Sequence, residues 1–138
     1  MNNVHVDQWK DLLKAAGKRP KGKARGEHTP GSMNRTEAEF AATVLDPRKL
    51  VGEIINYEFE AVTLKLAPDC RLTPDFMIEY PDKSLEFIDV KGAGPVQEDS
   101  VIKMRLAARL FPRWCFAMER KRKKCDGGGF ERKEFKAA

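Results

Sequence analysis

Two apolar segments, Phe76–Tyr80 and Leu85–Val90, are separated by only four residues, Pro81-Asp82-Lys83-Ser84. Both segments are rich in branched and aromatic residues, and a linker that opens on proline favours a turn, so the pattern predicts a β-hairpin. No other feature constrains the fold as strongly. A turn at 81–84 pairs the start of the first strand with the end of the second, and in each strand residues two apart share a face. Gly92, Gly94 and Pro95 end the second strand. From Asp99 to Phe111 the apolar residues Ile102, Leu106, Ala107 and Leu110 recur at helical spacing, Pro112 stops the helix, and Trp114–Met118 reads as a last strand. A strand, helix, strand connection favours a parallel, right-handed crossover. The sheet is therefore expected to be mixed.

Upstream, residues 54–66 alternate well enough to predict one long strand with Val62, Leu64 and Leu66 on one face, followed by a turn at Pro68-Asp69. Before it, Ala38, Phe40, Ala41, Val44 and Leu45 mark a helix from Arg35 to Leu45, capped by Asn34 or Ser32 and broken or restarted at Asp46-Pro47. Val6, Trp9, Leu12, Leu13 and Ala16 predict a short first helix that Gly17 ends. The fold class is α/β, a mixed β-sheet flanked by helices in the order αα-β-β-β-α-β. Three stretches are expected: a helix and flexible basic arm at 1–32, the core at 33–119, and a basic tail at 120–138, poorly ordered from about Cys125.

The chain has 138 residues, 41% hydrophobic and 34% charged, enough for one soluble domain with tails. No run approaches the ~18 apolar residues that cross a bilayer. Met1–Lys14 carries charges where a secretory signal needs an apolar stretch, which gives a cytoplasmic reading. Cys70, Cys115 and Cys125 are odd in number and form no CxxC pair, so they read as free thiols, with Cys115 in the core. His5 and His28 lie in peripheral segments, so catalysis has to rest on carboxylates and lysines. Residues 1–36 hold eight Lys/Arg against three Asp/Glu, residues 119–138 eight against four, and residues 37–118 ten against fourteen. Basic ends attract polyanions. An acidic centre within them repels the same phosphates unless a divalent cation sits among the acids.

The hairpin shows where those acids meet. Asp89 and Lys91 project from one face of the second strand with Phe87, while Ile88 and Val90 point to the opposite, buried side. By itself this is an ordinary ion pair on the solvent side of a sheet. Asp75, however, follows Pro74 at the start of the paired strand and lands beside Asp89. Two adjacent carboxylates repel and raise one pKa unless a cation holds them. Hard oxygen ligands select Mg²⁺ or Mn²⁺, and Lys91 can position water or stabilise charge on a phosphoryl group. Glu39, two residues from Glu37, reads as surface. Glu58 and Glu60 share a strand face as exposed or supporting acids, and Trp9 and Trp114 read as core. Candidate DNA contacts are Lys18, Arg19, Lys21, Lys23 and Arg25 in the arm, Arg35, Lys103 on the later helix, and Arg120, Lys121 and Arg122 in a basic run.

Pro74-Asp75, thirteen intervening residues, then Asp89-Val90-Lys91, resembles the motif of the PD-(D/E)xK nuclease superfamily. Met33-Asn34-Arg35-Thr36-Glu37-Ala38 resembles the first helix of that fold, and Tyr57-Glu58-Phe59-Glu60 with the helix around Lys103 resembles a small phage-encoded branch related to Holliday-junction resolvases. The resemblance covers roughly residues 33–118. It implies a restriction-endonuclease-like core and Mg²⁺- or Mn²⁺-dependent hydrolysis of DNA, branched or structured DNA above all, by a phage-encoded homodimer in the host cytoplasm. It also implies roles: Glu37, Asp75 and Asp89 as metal ligands with the Val90 carbonyl, and Lys91 as the catalytic lysine. Asp89 departs from junction-cutting relatives, which usually carry the longer Glu. The competing readings are a nuclease for duplex or single-stranded DNA, a non-catalytic DNA-binding protein with a nuclease fold, and an RNA-binding protein resting only on the basic ends.

Overall fold

A computed structural model of the chain describes residues 31–136. The helix read over Val6–Ala16, His5, Trp9, His28 and the arm residues Lys18, Arg19, Lys21, Lys23 and Arg25 lie outside the described residues. The hairpin forms as read, between β4 (Phe76–Glu79) and β5 (Leu85–Lys91), with Phe76 opposite Ile88 and Glu79 opposite Leu85. Its turn closes through Tyr80 N–H to the Ser84 carbonyl at 3.0 Å, and Asp82 accepts from the Ser84 N–H and hydroxyl.

The expected long strand over 54–66 is corrected to two. β1 (Asn56–Phe59) pairs antiparallel with β4, whereas β2 (Leu64–Ala67) forms a separate two-stranded sheet with β3 (Cys70–Leu72) across the turn at Pro68-Asp69. The break falls at Glu60, whose φ of 49° lies in the left-handed region and turns the chain out of the sheet. Alternation could not reveal this, because Leu64 and Leu66 do share a buried face, only in another sheet.

Helix α1 (Arg35–Phe40) starts at Asn34, whose side chain accepts the Glu37 N–H at 2.9 Å while Glu37 Oε2 accepts the Asn34 N–H at 2.8 Å. The ladder then widens into a π-helical turn, Ala41–Leu45, closed by Asp46 N–H to the Ala41 carbonyl. This one-residue shift brings Pro47 into the first turn of α2 (Asp46–Leu50), where its missing N–H costs nothing. Asp46-Pro47 is thus a restart.

Helix α3 (Glu98–Leu110) connects β5 to β6 (Cys115–Lys121), and the two strands are parallel. Met104, Ala107 and Ala108 are its buried residues; Ile102 and Leu110, which mark the helix in the sequence, are exposed. Cys115 is likewise exposed, and all three cysteines are free thiols. β6 is not the last strand. After a 3₁₀ turn at Lys124–Asp126, β7 (Phe130–Phe135) pairs antiparallel with β6, so the expected tail completes a five-stranded mixed sheet of order β1-β4-β5-β6-β7.

Both faces of this sheet are covered. Phe40, Ala41 and Leu45 pack with Phe76, Ile78, Ile88 and Ala117 on one side. Met104 and Ala107 of α3, with Leu64, Leu66 and Leu72 of the small hairpin, pack on Phe87, Phe116 and Met118 on the other. β7 supplies both: the Phe130 ring lies 5.1 Å from Phe40, and Phe135 joins the α3 side. Among the described residues, no helix is long and apolar enough to cross a membrane.

A strand and a tail differ in energy. Phe135→Ala is expected to destabilise the protein by about 3–5 kcal/mol, the cost of emptying a buried aromatic site. Lys136→Ala, at an exposed neighbour, is expected to stay within about 0.5 kcal/mol. Urea unfolding measures both; equal, negligible effects would mean that β7 does not contribute to the core.

Candidate active site

The site lies where β4 begins and β5 ends. Asp75 immediately precedes Phe76, and the β4–β5 register, continued by one residue, sets it across from Asp89. The Val90 N–H donates to Asp75 Oδ2 at 2.7 Å, and Lys91 Nζ lies 2.9 Å from Asp89 Oδ2. The backbone of Asp75 is gripped as well: Glu60 N–H donates to its carbonyl at 2.8 Å, a last rung of the β1–β4 ladder. Asp89 is buried and the Lys91 side chain partly so. The strand face that carries them also carries Phe87, which is buried in the core with residues of α3 and the β2–β3 hairpin, contrary to the solvent-facing side an ordinary surface pair would occupy.

Burial is the first cause that pushes the Asp75 carboxyl up to about 8; the charge of Asp89, a hydrogen bond with Asp89 and the charge of Glu37 add to it, while the Val90 N–H opposes. A carboxyl in this state keeps its proton near neutral pH. Glu37 is buried on α1, but its Oε2 is committed to the Asn34 N–H. Among the described residues, no three acidic, histidine or cysteine side chains are gathered as a ready metal cage. The structure therefore brings together Asp75, Asp89 and Lys91, with Glu37 near enough for its charge to reach Asp75.

The remaining candidates are spread around this centre. Lys103 pairs with Asp99 at 3.8 Å, one turn earlier on α3. Arg35 is exposed at the start of α1. Arg120, Lys121 and Arg122 are not on a loose tail: the first two belong to β6, and Arg122 N–H donates to the Gly129 carbonyl. Glu39, read as surface, receives Lys121 Nζ at 2.5 Å, tying α1 to β6. Glu58 is exposed on the edge strand β1, while Glu60 Oε2 accepts the Gly31 N–H at 3.1 Å. Trp114 packs on Phe87 and Phe111.

Sequence reasoning missed a second cluster, at the other end of β5. Glu86 is fully buried and accepts from the Tyr80 hydroxyl and from Arg132, which also lies 3.6 Å from Glu119. Arg48 donates to the same Tyr80 hydroxyl at 3.1 Å. Desolvation holds the Glu119 carboxyl above its ordinary range, against the lowering pull of Arg132. Its one signal was Glu86 itself, an acid inside the apolar run Leu85–Val90.

Comparison of the chain with protein-family models, with curated proteins and with solved structures gives no match.

The proton on Asp75 predicts an unusual pH dependence. Its folded-state pKa is raised from 3.8 to about 8, so between these values the folded protein holds a proton that the unfolded chain has lost. Stability is then greatest at low pH within this window and falls as pH rises toward 8, by at most about 1.4 kcal/mol per unit. Asp75→Asn, neutral throughout, is expected to flatten this slope and to be the more stable protein at pH 8. Urea unfolding in EDTA between pH 5 and 8.5 tests it; parallel slopes would contradict the assignment.

Proposed function

We propose that this chain is a divalent-metal-dependent DNA endonuclease with a restriction-endonuclease-like core, of the PD-(D/E)xK type, acting on branched DNA as a homodimer. The observation that carries the reading is the Asp75–Asp89 pair with Lys91 Nζ 2.9 Å from Asp89. Two adjacent carboxyl groups, one of which keeps a proton, are an expensive arrangement in a fold, and a cation would relieve it. Their oxygens are hard donors, suited to Mg²⁺ or Mn²⁺, and Asp75, Asp89 and the Val90 carbonyl are the groups that would hold the ion, with Glu37 close by. When bound, such a cation supplies Lewis acidity at a phosphoryl oxygen and at water.

The chain's own residues do the rest. Lys91 presents an ammonium to the scissile phosphate, where negative charge grows as the water oxygen bonds to phosphorus and the bond from phosphorus to the leaving sugar oxygen breaks. The attacking water gives up a proton and the leaving oxygen gains one. Partial burial of Lys91 and burial of Asp89 keep their pairing strong by lowering the local dielectric. Preference for a four-way junction rests on the resemblance of the motif. Paired cuts on opposing strands need two centres, which a symmetric dimer supplies.

Purified protein with a labelled four-way junction and its matched duplex, in Mg²⁺ or EDTA, tests the activity. Metal-dependent cutting of the junction is expected, and Lys91→Ala or Asp89→Asn should lower the rate on the order of 10²-fold or more. Cutting of the duplex alone would keep the nuclease and remove the junction preference; no cutting in Mg²⁺ or Mn²⁺ would leave a DNA-binding protein. Metal is also expected to stabilise the folded state, by about 1.4 kcal/mol at tenfold saturation, or a Tm rise of about 3–6 °C. Asp89→Asn should lose that rise and Glu58→Gln, on an exposed edge, should keep it. Equal responses from wild type and Asp89→Asn would remove the ion from these acids.

A further inference from the structure

The run Arg120–Lys124 looks uniform in sequence, but the sheet separates its members. β5 and β6 are parallel, with Lys91 beside Arg120, so these two residues project from the same face. Lys121 points the opposite way and is occupied by Glu39. One guanidinium nitrogen of Arg120 donates to the Ala93 carbonyl at 3.3 Å, in the loop directly after Lys91. Arg120 is exposed and stands across the β6–β7 ladder from Glu131, and among the described residues it forms no ion pair. It borders two open clefts: one of about 490 Å³ shared with Ala93, Arg122, Lys123, Asp126 and Glu131, and one of about 430 Å³ shared with Met118, Glu131 and Lys133.

We infer that Arg120 binds the DNA phosphate that flanks the scissile one on the same strand, an inference that rests on the nuclease reading above. An arginine fixed at one nitrogen by a backbone carbonyl still offers its other N–H donors as a fork that fits two oxygens of a phosphate. Neighbouring β-strands lie about 4.8 Å apart. Successive phosphates of one DNA strand advance about 3.4 Å along the helix axis while winding around it. Two cations on adjacent strands of one face, each on a long side chain, can therefore reach two consecutive phosphates, with Lys91 on the one that is cut. Such a contact selects a polynucleotide with an intact flanking phosphodiester over a terminal phosphate ester.

The experiment is a cycle on a DNA substrate whose cut position has been mapped with the wild-type protein. A neutral methylphosphonate replaces the flanking phosphate on either side of the cut in turn, and kcat/KM is measured for wild type, Arg120→Ala and Arg120→Lys. The methylphosphonate on one side is expected to lower wild-type kcat/KM about 10- to 100-fold, as expected for a lost charge-assisted phosphate contact. Arg120→Ala should show a similar loss on unmodified DNA and almost no further loss on that modified strand. Arg120→Lys should recover part of it, and Tm should be unchanged in both variants. Losses that multiply, or full activity in Arg120→Ala, would overturn the role of Arg120 while leaving the nuclease standing. A wild-type protein that cuts no DNA would overturn both.

Discussion

Asp75 and Asp89 face each other across the β4–β5 hairpin in a place where neither is well hydrated. Left to themselves, two carboxylates in this position would separate into water. They stay because the hairpin register, the Val90 N–H on Asp75 Oδ2, Lys91 on Asp89 and the Glu60 N–H on the Asp75 backbone hold each group from a different side. Apolar packing on both faces of β5 provides the opposing energy. A strand that was soft on one face would simply twist Asp89 out to solvent; Phe87 and Ile88, buried on opposite sides, prevent it.

That two-sided burial also organises the charges elsewhere. β5 carries an acid at each end, and the two are satisfied differently. Glu86 sits among Tyr80 and Arg132, with donors on its oxygens, and serves as a braced polar link between β5 and β7. Breaking such a buried pair by removing one partner costs more than the pair contributes, because the survivor is left uncompensated. The pair at the far end has a single lysine for two aspartates, and Asp75 responds by keeping a proton. The first arrangement is complete as it stands, whereas the second leaves two carboxyl groups with one lysine between them, the imbalance on which the proposed metal site rests. This difference between complete and incomplete compensation is why one cluster reads as architecture and the other as chemistry.

β7 has the same dual character. Phe130 and Phe135 fill cores on opposite faces, and between them Arg132 reaches Glu86, Glu119 and Glu134. By pairing with β6 it gives the basic residues of that strand fixed directions, sending Lys121 to α1 and leaving Arg120 beside Lys91. A basic run in solution attracts phosphates without order; on a paired strand it can address particular ones.

The amino-acid sequence by itself determined the hairpin, the parallel return through α3, a helix capped at Asn34 or Ser32, and the opposition of Asp75 and Asp89. All of these follow from short-range rules: a proline-led turn of four residues sets the register, and side-chain periodicity sets the faces. Tertiary structure decided what those rules do not reach. It parted residues 54–66 between two sheets at Glu60, because alternation records burial and not the sheet that supplies it. It drew Phe130–Phe135 into the sheet although FERKEF is mostly charged, because an edge strand needs only its two end aromatics in the core. It exposed Cys115, Ile102 and Leu110, committed Glu37 to a helix cap, and gave Lys121 to Glu39. Each of these outcomes depends on a partner distant in the chain, and local pattern carries no record of such partners.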